Sequence, residues 1–430
     1  MARSEQQTAL GTRNAAAAKS GSRVRWTFIV PTLFVATMVA QIDKQSISLI
    51  MANHTFLGDM HLLNRPAVTG GLVSAFLISY GAGQFAWGPI IDRLGPRRAA
   101  MIGVVAWSVA LVWGGFSDTV IMLYLSRIFL GLSEGILYPV CNAFVAQWFA
   151  MRERGRAASV WFNGATVGSA IGGALVTAII VGTGWRAVFF ILAIVGIVVV
   201  LPMLAFLTKD NPRSDRRVSP AELARIEDQD DSLAVTPTER GTGVFGNYRY
   251  WLLVIAFSAN NIFFWGWSSW LPTYLIKARH FSFQSSGLLT AVTFGVEVIA
   301  VWLFGMLSDR IGRRAPLGAI GFLIAALGVY IGGSISNVPL AIAITIVGVS
   351  FQQACAGNVQ ALLHSFSGKN LMGRAAGVMN GIGNVVSFLA PAVIGAMIGT
   401  SGNFSLVIIF LSAVLLIAAI AHALLIRSRY

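Results

Sequence analysis

Charge is what this sequence most lacks. Only 11% of its 430 residues are Asp, Glu, Lys or Arg and 56% are hydrophobic, whereas ordinary globular domains carry roughly a quarter charged residues. That composition excludes a water-soluble domain. Acidic residues are the scarcer sign, 17 against 31 basic ones, for a formal net charge of +14. Cysteine is nearly absent: Cys141 and Cys355 both fall inside apolar segments, which excludes a disulfide framework and a CxxC metal site. The five histidines, His54, His61, His280, His364 and His422, are scattered, with no HExxH and no GxSxG beside a workable triad. An enzyme, a metal centre and a cofactor are therefore not expected. No soluble domain is appended, which argues against a sensor.

What the chain has is apolar length. A helix of about 20 residues crosses a bilayer, and twelve runs qualify: 27–50, 67–90, 99–116, 119–148, 155–181, 186–208, 249–275, 285–307, 315–334, 338–364, 372–399 and 403–427. There is neither a sustained heptad nor a barrel-like alternation. The expected fold class is all-α and polytopic, with twelve transmembrane helices in the lipid bilayer forming two pseudo-symmetric six-helix bundles. Glycine is abundant, 45 residues, and Gly164, Gly168, Gly172 and Gly173 suit close helix packing in lipid. Of the basic residues, 25 fall in the N-terminal stretch, the even-numbered loops and the C-terminus; Arg65, Arg186, Lys277 and Arg279 lie in odd loops and two lie inside helices. Positive charge marks the cytoplasmic side, so both termini and the central loop are expected there. Charges scattered over helix ends make no contiguous basic face, and nucleic acid is not an expected partner.

The expected organisation is a polar tail over 1–26, a first bundle over 27–208, a linker over 209–248, a second bundle over 249–427 and a short end over 428–430. The tail has no apolar core of a signal peptide. The linker holds Pro212, Pro220 and Pro237 and one amphipathic turn near 221–228. A monomer is expected.

One pattern occurs twice. Gly88, Asp92, Arg93, Gly95, Arg97 and Arg98 form G-x-x-x-D-R-x-G closed by two arginines, and Gly305, Asp309, Arg310, Gly312, Arg313 and Arg314 repeat it 217 residues later. Each copy ends one apolar segment and begins the next. A basic hairpin recurring once per half resembles the loop signature of the major facilitator superfamily over nearly the whole chain. The resemblance implies alternating access around a central site, with Asp92, Arg93, Arg97, Asp309, Arg310 and Arg313 acting as cytoplasmic latches.

Few ionisable residues remain inside the apolar segments: Asp43 and Lys44 in the first, Arg127 and Glu134 in the fourth, and Glu297 in the eighth. Each costs about 2.5–3.5 kcal/mol unless paired or facing water, and such residues are functional by default. Arg127 and Glu134 share one helix face about 10 Å apart along the axis, too far to pair. Segments 1 and 4 together supply two cations and two carboxylates. An added anion leaves one excess negative charge, which protonation of a carboxylate removes. Charge counting alone thus points to proton-coupled anion uptake, or else to a structural ion-pair network between the two helices.

The same residues resemble the anion:cation symporter family. Gln41, Asp43 and Lys44 stand where that family shows Tyr-x-Asp-Arg; Arg127, Gly131, Glu134 and Pro139 are similar to its R-x-x-x-G-x-x-E-x-x-x-x-P. Trp148, Phe149, Glu153 and Arg154 follow its W-F-P-x-x-E-R with Ala150 in place of proline, and Trp270, Pro272, Gly383, Asn384 and Pro391 are family-like. The resemblance implies a small organic anion as substrate and protons as coupling ions. Arg127 would hold the carboxylate, with Lys44, Tyr80, Gln41, Asn261 and Asn384 as further contacts. Asp43 and Glu134 would carry protons. Location in a bacterial inner membrane follows from the same resemblance. Lys44 in place of Arg offers a mobile point charge instead of a fork. Glu297 is not part of the family pattern; it is a third candidate for proton coupling, or a partner for a substrate amine or for Lys44. Tyr80, Gln84 and Trp87 form one stripe. The competing function is a proton-driven exporter of drugs or metabolites, whose cavity is commonly more apolar.

Overall fold

The computed structural model describes residues 24–227, 245–311, 314–366 and 372–426, and among them there is helix but no strand. Twelve long helices follow one another. The first six are α1 (Arg25–Ala52), α2 (Pro66–Leu94), α3 (Pro96–Gly115), α4 (Val120–Trp148), α5 (Met151–Thr183) and α6 (Trp185–Leu207). The last six are α7 (Tyr248–Lys277), α8 (Phe283–Ile311), α9 (Arg314–Ser334), α10 (Val338–Phe366), α11 (Met372–Ser387 and Ala390–Ser401) and α12 (Ser405–Ile426). Most of the expected tail, and Arg313 of the second basic loop, lie outside the described residues.

Eleven of these helices are long and apolar enough to cross a membrane; α7 is the exception. Its 30 residues span about 45 Å, ample for a bilayer. Four Trp, three Tyr and two Asn lower its hydropathy. Aromatic rings still bury large apolar area, so a hydropathy average understates such a helix.

Helix packing repeats. In the first six, α1 packs on α5, α2 on α4, and α3 on both α4 and α6; in the last six, α7 packs on α11, α8 on α10, and α9 on both α10 and α12. Between the sets, α2 meets α11, α5 meets α8 and α1 meets α7. Glycine permits these approaches. Along α5, a β-carbon on Gly168 would lie 2.5 Å from the Met38 carbonyl oxygen of α1, closer than any real contact.

The same device closes one face of the molecule. A β-carbon on Gly70 of α2 would strike the Pro391 carbonyl of α11, and one on Gly173 of α5 would lie 2.7 Å from the Gly287 carbonyl oxygen of α8. Ser74 Oγ accepts the Ala392 N–H at 3.2 Å, and Trp270 Nε1 donates to the Pro391 carbonyl at 2.9 Å. Gly70 and Gly287 are 217 residues apart, the spacing of the two basic loops, so the two contacts are repeat mates. They lie towards the odd loops. Nearer the even loops, β-carbon positions on Gly155 and Gly377 have no described atom within 4 Å. The two halves therefore meet backbone to backbone at the odd-loop ends of these helices.

Two odd-loop arginines tie loops together, each within its own half. Arg186 pairs with Asp59 at 3.1 Å and Asp118 at 3.2 Å, and Arg279 donates to the carbonyls of Gly332, Gly333 and Ile335. On the opposite face the chain after α6 folds back on the first bundle. A short helix, Pro220–Glu227, presents buried Glu222, which accepts the backbone N–H groups of Val24 and Arg25 at the start of α1 at 3.2 and 3.3 Å. Nearby, burial alone would raise the Asp215 carboxyl, but hydrogen bonds from Arg217 outweigh it and hold it below the ordinary range.

The glycine contacts generate a test. Gly287→Leu should prise α8 from α5 and loosen the α2–α11 contact with it. A cysteine placed at Ser74, which is 4% exposed, should then react faster with a maleimide that cannot cross the membrane. Unchanged labelling would mean that glycine packing does not hold this face shut.

Candidate functional site

The site begins with α1, which carries Asp43 and Lys44 as neighbours. On α4, Arg127 and Glu134 lie two turns apart, and the helix breaks at once after Glu134: Val120–Glu134 ends and Leu137–Trp148 resumes. Pro139 explains the break, because its ring displaces the carbonyl of Gly135 and offers no N–H in return. On α2, Gly83 backs on the Leu132 carbonyl of α4, and Gly131 of α4 meets Ser79 and Tyr80. That close fit presents the aromatic face of α2 to the charges.

Asp43, Arg127 and Glu134 are each 0% exposed. Arg127 Nη1 stands 4.0 Å from Asp43 Oδ1, the outer edge of an ion pair. Arg127 Nε and both Nη atoms have no hydrogen-bond partner among the described residues, and neither do the carboxylate oxygens of Asp43 and Glu134. Buried polar groups are hydrogen-bonded as a rule, and each exception calls for an explanation. Here donors and acceptors are gathered in charge balance and left for something else to satisfy. Below them lies an aromatic floor: Phe76 and Tyr80 stack with centroids 5.8 Å apart. The Arg127 guanidinium sits 4.7 Å from the Phe76 centroid and Lys44 Nζ 4.2 Å from that of Tyr80. The structure thus brings Asp43, Lys44, Tyr80, Arg127 and Glu134 together. Lys44, expected to be a mobile charge, is seated on a ring.

Gln41 lies one turn away on the α5-facing side of α1, its Cβ beside Gly168. In the second bundle, Asn261 Nδ2 donates to Asn384 Oδ1 at 3.2 Å, so these two amides hold each other across α7 and α11. A second amide pair was not anticipated: Gln352 Nε2 of α10 donates to Asn260 Oδ1 at 2.7 Å, with Gln352 Oε1 buried and unpaired. An amide in the middle of an apolar segment was the available signal. Glu297 is 5% exposed and makes no ion pair among the described residues, with Lys44 or any other cation. It belongs to the α8 face of Thr293 and Phe304; Phe304 meets Phe351 of α10 edge-on at 6.2 Å. Glu297 therefore stands apart from the cluster.

Of the residues expected to latch the basic-loop face, Asp92, Arg93 and Arg310 are exposed. Arg97 donates to the Leu204 and Ala205 carbonyls, and its backbone N–H donates to Asp210 at 2.6 Å. Its bonds stay within its own half. Asp309 lies in the last turn of α8.

Comparisons with known proteins agree with this layout. The profile described as Major Facilitator Superfamily matches residues 33–391. A probable sulfoacetate transporter of Cupriavidus necator is 29% identical over 91% of this chain and 92% of its own length. The D-galactonate transporter of Escherichia coli is 25% identical over 95% and 97%. Among solved structures, a bacterial homologue of the human lysosomal transporter Spinster, in an inward-facing and occupied conformation, superposes with a TM-score of 0.77. It is 18% identical and covers 95% of this chain and 98% of that one; at that identity it speaks to the fold alone.

If the four charges form one balanced unit, removing one should unsettle the rest. Arg127→Met should cost about 3–5 kcal/mol and lower the melting temperature in detergent, and adding Asp43→Asn should recover part of the loss. Simple addition of the two single effects would show that Arg127 and Asp43 are not coupled.

Proposed function

The chain belongs to the Major Facilitator Superfamily, and on that premise we propose that it is a proton-coupled symporter importing a small organic anion by alternating access. It is a membrane transporter, not an enzyme, and its relatives carry acid sugars and other organic anions. The observation that carries the finer reading is the buried, balanced quartet of Asp43, Lys44, Arg127 and Glu134 with its unsatisfied hydrogen-bonding atoms. Arg127 offers a carboxylate or sulfonate a rigid fork of N–H donors, and Lys44 supplies the second cation. An incoming anion upsets the balance, and a proton on Asp43 or Glu134 restores it. The loaded, neutral carrier can then change conformation where the singly charged one is opposed by the low dielectric. Asn261 and Asn384 would face the uncharged part of the acid, and Glu297 is a third protonatable group.

In this reading Asp92, Arg93, Arg97, Asp309, Arg310 and Arg313 close the basic-loop face when the opposite face opens. The protein would act as a monomer in a bacterial inner membrane with both termini cytoplasmic. A thermal-shift panel with sulfoacetate, D-galactonate, D-glucarate and a hexuronate selects the acid, because a ligand that binds the folded state raises its stability.

With that acid, two outcomes are expected in reconstituted vesicles. Arg127→Lys keeps the charge but loses the fork, so the half-saturating concentration should rise by about tenfold or more, given roughly 1.5–3 kcal/mol for a charged hydrogen bond; wild-type affinity would remove Arg127 from the binding role. Glu134→Gln and Asp43→Asn should still exchange the acid in counterflow yet fail to concentrate it under a pH gradient, because only a titrating group can bias the loaded carrier. Concentration by both variants at the wild-type level would place coupling elsewhere, with Glu297 next to test.

A further inference from the structure

Tyr138 received no role from the sequence, yet it shares the site with Lys44. It lies just past the break in α4, in the piece Leu137–Trp148. Lys44 Nζ is 4.2 Å from the Tyr80 centroid and 5.7 Å from that of Tyr138. The ammonium comes from α1, one ring from α2 and the other from α4. Tyr138 is itself held edge-on by two α5 rings, Trp161 at 5.4 Å and Phe162 at 6.1 Å, and Trp161 is only 3% exposed. The plane of the Tyr138 ring is therefore set by packing that does not involve Lys44.

A lysine ammonium on its four-carbon stem ordinarily roams. Two ring faces attract it electrostatically, the more strongly where water is thin. Arg127 has one such ring, Phe76; Lys44 has two. We propose that Tyr138 is a positioning residue that closes an aromatic clamp on Lys44 and so sets the spacing between the Lys44 and Arg127 cations that a bound acid must match. This rests on the anion-carrying reading above. Loosening the clamp frees Lys44 to follow acids of different length, so affinity falls and discrimination between short and long acids narrows. The ring does this, not the hydroxyl, which separates the proposal from a direct hydrogen bond between Tyr138 and substrate.

The chain has five lysines, Lys19, Lys44, Lys209, Lys277 and Lys369, so reductive methylation with a carbon-13 label gives a countable set of NMR signals while keeping the charge. The Lys44 signal is the one lost in Lys44→Arg. In the otherwise unaltered chain it should be displaced by ring currents from the positions of exposed lysines. Tyr138→Phe should leave it in place, and Tyr138→Leu should return it part of the way; Tyr138→Met fills the same volume without a ring and serves if the leucine variant does not fold. Titration with glycolate and D-gluconate, a two-carbon and a six-carbon hydroxy acid, reads the consequence. Tyr138→Leu should weaken the response of the Lys44 signal by about two- to thirtyfold and bring the two acids closer together, whereas Tyr138→Phe should match the parent. A Lys44 signal unmoved by loss of the Tyr138 ring overturns the clamp. A displaced signal that neither acid perturbs leaves the clamp standing and counts instead against anion binding at Lys44.

Discussion

Everything in this molecule answers to the cost of holding charge where water is scarce. Two unit charges 4 Å apart attract by about 4 kcal/mol at an effective dielectric of 20, and Arg127 and Asp43 stand 4.0 Å apart. Taking either ion out of water costs several kcal/mol, so that pair alone does not offset its own burial. Four charges in balance come closer, and the ring faces beneath Arg127 and Lys44 contribute further. The remainder is borne by the scaffold, whose helices hold the charges in place by backbone-close packing. A cluster that is balanced but poorly satisfied is a poor stabiliser.

Much of this was legible in the sequence. Twelve apolar segments, the duplicated loop and the five intramembrane ionisable residues could each be read directly, because a charge in an apolar run has few structural excuses. The meeting of Asp43 and Lys44 with Arg127 and Glu134 was legible as charge arithmetic, though the arithmetic alone allowed an inert ion-pair network too. What escaped was whatever depends on which face a helix turns to its neighbour. Glu297 lies four residues from Thr293 and seven from Phe304, on their helix face, and no ion pair joins it to the cluster among the described residues, a matter of rotation and not of position. Tyr138 drew no role from the sequence, yet it lies just past the break at Gly135–Ile136 with its ring 5.7 Å from Lys44 Nζ. Arg97 carries the latch motif yet bonds the end of α6, because a helix end with unpaired carbonyls is the nearest acceptor.

The duplication runs deeper than the loops that announce it. The interval separating Gly88 from Gly305 also separates Gly70 from Gly287, and each of the latter pair is pressed against the partner half. The motif at the basic face and the contact at the opposite face belong to the same repeated helix, one at each of its ends. Each half thus carries the basic motif and the close glycine contact on one helix, α2 in the first and α8 in the second.

The contact between the halves is built from glycine methylenes, backbone carbonyls and the hydroxyls of Ser74 and Thr177, while Asp92, Arg93 and Arg310 at the basic loops are exposed. Dissolved salt screens the second within about 8 Å at physiological ionic strength and scarcely touches the first. On the latch reading proposed above, the two faces would answer differently to salt: the backbone contacts would keep their strength at any ionic strength, while ion pairs among the basic-loop residues would weaken as salt rises.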